Sequence, residues 1–388
     1  MSDTRKEVAI NFQPFKFSCY CLKKVKLMRS RFKFGLVVGC LLFAAVVATC
    51  VADGGEPVTI VDQMGRNVTV VPDEIERIVI FAPPPAAMIY AIEGTGERIK
   101  GMNPLSLQAI EDGILGEMAP ELLGANTSQS MEEILKIDPD IIFMPAPPLG
   151  TVEAIQFVEN FGVPVMAMSW KNQSDYETLM LNVGRVLGKD DRANMFVNYH
   201  RAAHEDISAI TEDLPEEERP SVLFLPFPKS LTTVPGTIVT ADYIDIAGGV
   251  ITTKELTAGT SQAVTMEQVI KWNPDVILLG NFEYVSPQDL YDNNLDGQDW
   301  SSVKAVQNRQ VYLVPLGVYR WGPPNHESPL MWMWLGEILH PDLFDYDLRQ
   351  EMKDFYKEMY DYDLSEEQID DILHCDVNSV SAGYEAFC

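Results

Sequence analysis

The sequence has little positive charge. Its 388 residues include 29 Lys and Arg against 57 Asp and Glu, which gives a formal net charge of −28. Phosphate backbones and anionic membrane surfaces attract basic protein faces, so this imbalance argues against nucleic-acid binding and against charge-driven docking on lipid. Hydrophobic residues make up 46% of the chain, which predicts a packed core, and the length favours two domains.

Cysteine is scarce beyond the N-terminal region. Four of the six cysteines fall before residue 52, and Cys375 and Cys388 are the two that follow. No spacing matches a zinc site, so we predict neither a structural metal nor a covalently bound cofactor. The two C-terminal thiols are compatible with one disulfide in an oxidising compartment or with two unpaired cysteines.

Motifs of common enzyme classes are missing as well. The sequence contains no G-x-S-x-G, no H-E-x-x-H and no phosphate-loop lysine. His200 and His204 have a spacing that can hold a metal, but no third ligand is visible, and a surface helix is the preferred interpretation. We therefore predict that the protein is not an enzyme.

Residues 1–52 are predicted to be a leader outside the globular part. The basic stretch KKVKLMRSRFKF precedes an uncharged apolar run from Gly35 to Ala52, which is the pattern of a secretory signal. Cleavage after Ala52, lipidation at Cys50 and retention as an anchor all remain open, and Met28 begins a well-formed signal. Each alternative places the remaining chain outside the cytoplasm, and the last two attach it to the membrane.

Short apolar runs alternate with helical segments after the leader. RIVIFAP, DIIFMPA and VPVMAMSW occur in the first half, and SVLFLPFP, DVILLGN and QVYLVPLG in the second. This alternation predicts parallel sheets covered by helices. Between the halves, apolar residues recur at helical spacing, interrupted at Gly188, and residues 190–210 predict one helix of about 30 Å.

One segment occurs twice. SMEEILKIDPDIIFM spans 130–144 and TMEQVIKWNPDVILL spans 265–279, so the copies stand 135 positions apart. Each copy predicts a helix with a Ser or Thr cap, a turn at Pro and a buried strand. Two such lobes joined by one helix predict a ligand cleft beyond the carboxyl ends of the strands.

The predicted fold class is therefore α/β, with two doubly wound Rossmann-like lobes joined by a single long backbone helix and a ligand cleft between the lobes. The predicted divisions are a leader (1–52), an N-terminal lobe (57–172), a linker helix (173–214), a C-terminal lobe (219–345) and an acidic helical tail (346–388).

From Val58 to Phe344 the chain resembles the helical-backbone class of substrate-binding proteins of ABC importers. The segments that carry the resemblance are VTIVDQMGRNVTVVPDEIERIVIFAP, MEEILKIDPDIIF, VGRVLGKDDRANMFVNY, MEQVIKWNPDVILL and RWGPPNHESPLMWMWLGEILHP. Each segment is weak evidence alone, but their order and spacing together are specific. The resemblance implies a partner permease dimer with cytoplasmic ATPase subunits and a ligand that is a metal chelate.

The resemblance also assigns residue roles. In that class one surface Glu on each lobe docks against permease arginines, and Glu132 and Glu267 match this position. Arg320 and Trp321 match a loop that contacts ligand in many relatives. The ends of strands and the following loops supply the other ligand candidates: Pro84, Trp170, Lys171, Phe227, Lys229, Asn281, Phe282, Tyr284 and Tyr319. Aromatic rings can pack against a bulky ligand, and Arg or Lys can pair with its anionic groups. His326 and Glu327, which follow the same loop, are weaker candidates.

We expect the protein to be the extracytoplasmic solute-binding component of an ABC importer that captures a ferric siderophore-type chelate and delivers it to the permease. Cobalamin or a cobamide, and haem, are the alternatives within the same class. A ligand-binding sensor module is the alternative of a different class, and it would need a signalling segment beyond the residues seen here.

Overall fold

The computed structural model describes residues 55–81, 85–128, 130–237, 239–257 and 259–388. The predictions about the leader, including those at Met28 and Cys50, lie outside the described residues, as does the ligand candidate Pro84. Among the helices that are described, none has the length and apolar character needed to cross a bilayer.

The strands are short and lie where the apolar runs predict them. They are β1 (Val58–Val61), β2 (Asn67–Val70), β3 (Ile78–Ile80), β4 (Ile99–Met102), β5 (Ile141–Pro145), β6 (Val165–Met168), β7 (Ser221–Leu225), β8 (Thr232–Thr233), β9 (Val250–Ile251), β10 (Gln262–Ala263), β11 (Val276–Leu279) and β12 (Val311–Leu313).

Helices fill most of the connections. They are α1 (Pro85–Glu93), α2 (Pro104–Asp112), α3 (Leu115–Met118), α4 (Met131–Leu135), α5 (Val152–Glu159), α6 (Gln173–Leu187), α7 (Asp190–Thr211), α8 (Val239–Ile246), α9 (Met266–Trp272), α10 (Pro287–Tyr291), α11 (Lys304–Gln307), α12 (Ser328–Leu339), α13 (Leu348–Tyr360), α14 (Glu366–Leu373) and α15 (Cys375–Asn378). Single 3₁₀ turns occur at Pro72–Glu74, Pro120–Gly124, Glu216–Glu218, Pro228–Ser230 and Tyr384–Ala386.

Two parallel four-stranded sheets confirm the α/β fold class. Their strand orders are β4-β3-β5-β6 and β12-β11-β7-β9. Read from the opposite edge, the second order becomes β9-β7-β11-β12, so the two sheets share one topology. Two small antiparallel pairs, β1-β2 and β10-β8, stand apart from these sheets.

The sequence repeat is also a structural repeat. The equivalent turn residues Asp138 and Asn273 both have a positive φ, 56° and 46°, in the turn between the helix and the strand of each copy. Asp140 accepts hydrogen bonds from the backbone N–H groups of Glu76 (2.9 Å) and Arg77 (2.8 Å), beside β3. The equivalent carboxylate, that of Asp275, accepts from the N–H and the hydroxyl of Ser221, in β7. The duplicated Asp therefore ties the central strand of each sheet to its neighbour.

The central strands divide their side chains between two cores. In β5, Ile141 and Phe143 belong to a large core that also contains Val276 and Leu278 of β11. The alternate residues of each strand pack into a separate, smaller core of their own lobe. Because side chains alternate across a strand, each sheet is buried on both faces, as its continuous apolar runs predict.

Helix α7 connects the lobes. It spans 22 residues, which at 1.5 Å per residue is about 33 Å. It packs against α1 and α6 of the N-terminal lobe and against α8 and α12 of the C-terminal lobe. Gly188 interrupts the helical stretch in the left-handed conformation, with φ 69°, so that α6 ends there and packs against α7.

The C-terminal helices contact both lobes. The Asn378 side chain bonds the backbone N–H (2.7 Å) and carbonyl (2.9 Å) of Leu313 in β12. The Gln368 amide donates to Glu117 in the N-terminal lobe at 2.8 Å. A disulfide joins Cys375 to Cys388, which answers the question that the sequence left open.

The close packing of α6 on α7 has a testable consequence at Gly184. A Cβ at this position would lie 2.4 Å from the Cβ of Ala193, whereas a Cβ at Gly124 would meet nothing within 4 Å. Ala favours a helix over Gly by about 1 kcal/mol, but overpacking costs about 1–3 kcal/mol. We expect Gly184→Ala to lower the free energy of unfolding by up to about 2 kcal/mol in denaturant titrations.

Gly124→Ala is the matched control, and we expect it to change the free energy of unfolding by less than about 0.5 kcal/mol. A stabilised Gly184→Ala variant would show that α6 and α7 are not in close contact at this point.

Candidate functional site

Arg320 is a buried cation whose partners come from both lobes. Its side chain is only 2% exposed. Its Nε donates to the carbonyl of Asn281 at 3.1 Å, and its Nη2 donates to the Asp112 carboxylate at the end of α2 at 3.3 Å. The guanidinium also lies 4.9 Å from the ring centroid of Phe282. The Arg320 guanidinium therefore links the C-terminal lobe to the N-terminal lobe.

Aromatic and polar groups gather around Arg320. The rings of Phe227, after β7, and Phe282, after β11, lie 5.3 Å apart and are partly exposed. Asn281 is anchored by its amide, which donates to the carbonyl of Val314 at 3.1 Å. The exposed Lys229 joins the group through its backbone N–H, which donates to the Glu283 carboxylate at 2.9 Å. The ring of the buried Tyr319 lies 5.9 Å from the Arg320 guanidinium. The structure thus brings together six sequence-predicted candidates, including Arg320 itself.

A fully buried carboxylate holds the loop that carries Arg320. Glu327 Oε2 accepts hydrogen bonds from the Val318 backbone N–H at 2.9 Å and from the Trp321 indole N–H at 3.1 Å. The Asn325 amide donates to the carbonyl of Arg320 at 2.9 Å. These bonds fix residues 318–321 from within, so the position of Arg320 depends on Glu327 and Asn325.

Burial changes the acidity of Glu327. Loss of solvation raises the pKa of this carboxyl from 4.5 to about 7, although hydrogen bonds from Trp321 and from the loop backbone oppose the rise. The unfolded chain keeps the ordinary pKa. Folding therefore takes up a proton between these two values, and the charged form of Glu327 costs stability at neutral and alkaline pH.

The remaining candidates make other contacts. Trp321 is completely buried, packs in the large core and uses its indole N–H on Glu327, so it presents no surface to solvent in this arrangement. Trp170 follows β6 and packs edge-on against Tyr176 at 5.6 Å. The exposed Lys171 donates its backbone N–H to Asp175 at 3.0 Å. Ligand contact by these three residues stays a prediction.

Glu132 and Glu267 occupy equivalent places near the starts of α4 and α9, and both are exposed. A hydrogen bond with the Thr265 side chain lowers the pKa of Glu267. Each helix leads into the start of the strand that follows it. The first turn of the helix therefore lies on the side of the sheet where that strand has its carboxyl end. The two carboxylates therefore lie on the side of each sheet where the strands have their carboxyl ends, which we call the carboxyl-end edge.

Two histidines are buried between the lobes. The interpretation of His200 as part of a surface helix is wrong, because it is fully buried and its ring lies 5.6 Å from that of Trp332. The apolar residues of α12 cover α7 at this point, which the sequence of α7 alone does not show. Desolvation lowers the pKa of His200 to about 4 and that of His326 to about 3. Both rings are therefore neutral at physiological pH.

Sequence reasoning missed Asp112 and ranked Glu327 only as a weaker candidate. Asp112 pairs with Arg320 across 208 positions, and no local pattern marks it. It also lines a cavity of about 390 Å³ between α2–α3 and α14. Glu327 follows the loop, but its burial depends on the later tail. Within the described residues, no group of His, Cys, Asp and Glu is arranged to hold a bare metal ion.

Comparisons with known proteins agree with this architecture. A family model described as "Periplasmic binding protein" matches residues 89–316. The molybdate-binding protein MolA of Haemophilus influenzae is 26% identical over 355 residues, which cover 83% of this chain and 95% of that protein. Among solved structures, a periplasmic solute binding protein from Veillonella parvula is 32% identical with a TM-score of 0.75, covering 84% of this chain and 99% of that one. An ABC transporter solute binding protein from Sulfurospirillum deleyianum is 25% identical with a TM-score of 0.69, covering 81% and 99%.

The buried Glu327 predicts a pH dependence of stability. Its pKa rises to about 7 on folding, so its contribution is complete below about pH 4.5 and is lost as the pH rises through 7. Relative to Glu327→Gln, the wild-type free energy of unfolding should fall by about 2 kcal/mol between about pH 5 and pH 7.5. Denaturant titrations across this range measure the difference. Parallel pH profiles of the two proteins would contradict the raised pKa.

Proposed function

We propose, from the premise that this chain belongs to the periplasmic binding protein family and is the solute-binding component of an ABC importer, that it captures a compact anionic metal species between its lobes. An oxyanion of the molybdate type is the first candidate, and a ferric chelate is the second. Binding is stoichiometric, without turnover, and the loaded protein delivers the solute to a permease served by ATPase subunits.

The buried Arg320 is the observation that carries this proposal. The chain as a whole is strongly acidic, so an anion needs a cation placed where water is scarce. Arg320 is such a cation, and its guanidinium can present paired donors to oxygens of an anionic ligand. Asp112 holds one of these donors, and its side chain is 48% exposed. An incoming anion can therefore displace the carboxylate and take over the guanidinium.

The similarity to MolA favours the oxyanion. That relative is a molybdate-binding protein, and the match spans 95% of its length. A tetrahedral oxyanion offers several acceptor oxygens to Arg320 and to the polar groups beside it. This support moves the oxyanion ahead of the ferric chelate that the sequence favours.

The partly exposed rings of Phe227 and Phe282 favour the second candidate. A ferric siderophore or haem has organic surface that such rings can cover, while its anionic groups pair with Arg320. In either version of the proposal, the leader exports the protein and the N-terminus associates with the membrane.

Calorimetric titration of the chain from Asp53 onward identifies the solute. Molybdate, tungstate, ferric hydroxamate and catecholate siderophores, haem and cyanocobalamin are tested one by one, with sulfate as the reference oxyanion. We expect saturable binding at one site by one solute class. Arg320→Gln should then weaken binding about 10- to 100-fold, because a charge-assisted hydrogen bond contributes about 1.5–3 kcal/mol.

Arg219→Gln is the matched control, because Arg219 also bonds backbone carbonyls and a carboxylate. Arg219 lies before β7, on the side of the sheet where the strands begin, whereas Arg320 lies on the side where they end. Equal affinity of wild-type protein and Arg320→Gln would remove Arg320 from the site. Flat titrations of folded protein with every solute would remove both candidates.

Glu132 and Glu267 are proposed to dock the loaded protein on the permease. Two carboxylates on rigid, equivalent helices can pair with basic groups on the two halves of a dimer. We expect the double variant Glu132→Arg/Glu267→Arg to abolish solute uptake by whole cells while the solute affinity of the purified protein stays unchanged.

Glu133→Arg is the control, because Glu133 is exposed on the same helix but the equivalent residue in the other lobe is Gln268. Unchanged uptake by the double variant would remove the two carboxylates from the docking surface.

A further inference from the structure

The two most exposed large apolar side chains among the described residues are one repeat apart. They are Leu149, at 66% exposure, and Tyr284, at 89%, and their separation is that of the duplicated segments. Phe161 comes next at 61%, and its equivalent in the second lobe is Asp296. Isolated exposed apolar residues are common, but these two occupy equivalent positions of the repeat.

Both side chains stand on loops that are held in place. After Leu149, the Gly150 N–H donates to the Ala146 carbonyl at 3.0 Å, and the Thr151 hydroxyl caps α5. Before Tyr284, the Glu283 carboxylate accepts from the Lys229 backbone N–H at 2.9 Å. After it, Ser286 and Asp289 form the capping box of α10. Fixed loops lose little entropy when a partner covers them, which suits a docking contact.

The two loops lie on the same edges as the docking carboxylates. Leu149 follows β5, and α4, which carries Glu132, leads into the start of β5. Tyr284 stands in the same relation to β11, α9 and Glu267. Each lobe therefore presents one carboxylate and one apolar side chain at the carboxyl-end edge of its sheet.

We propose that Leu149 and Tyr284 are paired apolar anchors, one on each lobe, that insert into equivalent sites on the two halves of the permease dimer. This inference rests on the proposed function, because it takes its partner from the importer. Tyrosine is enriched among residues that dominate binding energy at interfaces, and a carboxylate beside it supplies orientation.

A role in solute contact fits the geometry less well. A bound solute is one molecule and does not repeat with the lobes, whereas a permease dimer offers two equivalent halves. Asn281 and Phe282 turn toward Arg320, while Tyr284, a ligand candidate from the sequence, keeps most of its surface in water. The apolar pair therefore matches the partner that has two-fold symmetry.

The test compares Leu149→Ser, Tyr284→Ser and the double variant with Phe161→Ser. Phe161 is similarly exposed but follows the C-terminal end of α5, away from the carboxyl-end edge. The affinity of each loaded protein for its permease–ATPase complex in nanodiscs is measured by biolayer interferometry, and solute affinity is measured separately by calorimetry.

We expect each single variant to weaken docking about tenfold, and the double variant about 100-fold, because distant contacts add. Phe161→Ser should stay within about twofold of wild type, and solute affinity should be unchanged in all variants. Docking of the double variant at wild-type strength would overturn the proposal, as would a loss confined to solute affinity. If wild-type protein binds its solute but no permease complex, the proposed function fails first, and the anchors fail with it.

Discussion

The packing of helix α7 against both lobes is the constraint on which the rest of the structure depends. Its buried face meets α1 and α6 on one side and α8 and α12 on the other, so one continuous core runs through both lobes. Protein interiors are close-packed and resist large shear. We therefore expect the lobes to move only slightly relative to each other. The C-terminal helices strengthen this constraint, because they bond β12 and the N-terminal lobe together.

The buried carboxylate of Glu327 fixes the position of Arg320 without contacting its side chain. Glu327 fixes the backbone around Val318 and the Trp321 indole, and Arg320 lies between these two residues. Burial raises the pKa of Glu327, so its charged form costs stability. Such a cost is reasonable where a loop must keep one conformation so that a guanidinium faces the opposite lobe. Arg320 then connects these buried contacts to Asp112 of the N-terminal lobe.

The sequence predicted the parts of the fold that local patterns determine. The strands of both sheets are continuous apolar runs because both faces are buried, and the repeat revealed that the two lobes are equivalent. The break at Gly188 and the long helix after it followed from glycine and helical spacing. The partners of Arg320 did not follow, because Asp112 lies in the other lobe and carries no motif of its own. The burial of His200 and Trp321 also depends on long-range packing by α12 and the tail. Local periodicity cannot report such contacts, so a ring that looks available in the sequence can be a core residue.

The most direct test of the account is a crystal structure of the chain from Asp53 onward with its tightest-binding solute. We expect the solute to lie between the carboxyl ends of β5 and β11, with the Arg320 guanidinium bonded to it in place of Asp112 and with α7 unbent. A solute bound elsewhere, or bound between the lobes while the Arg320–Asp112 pair stays intact, would contradict it.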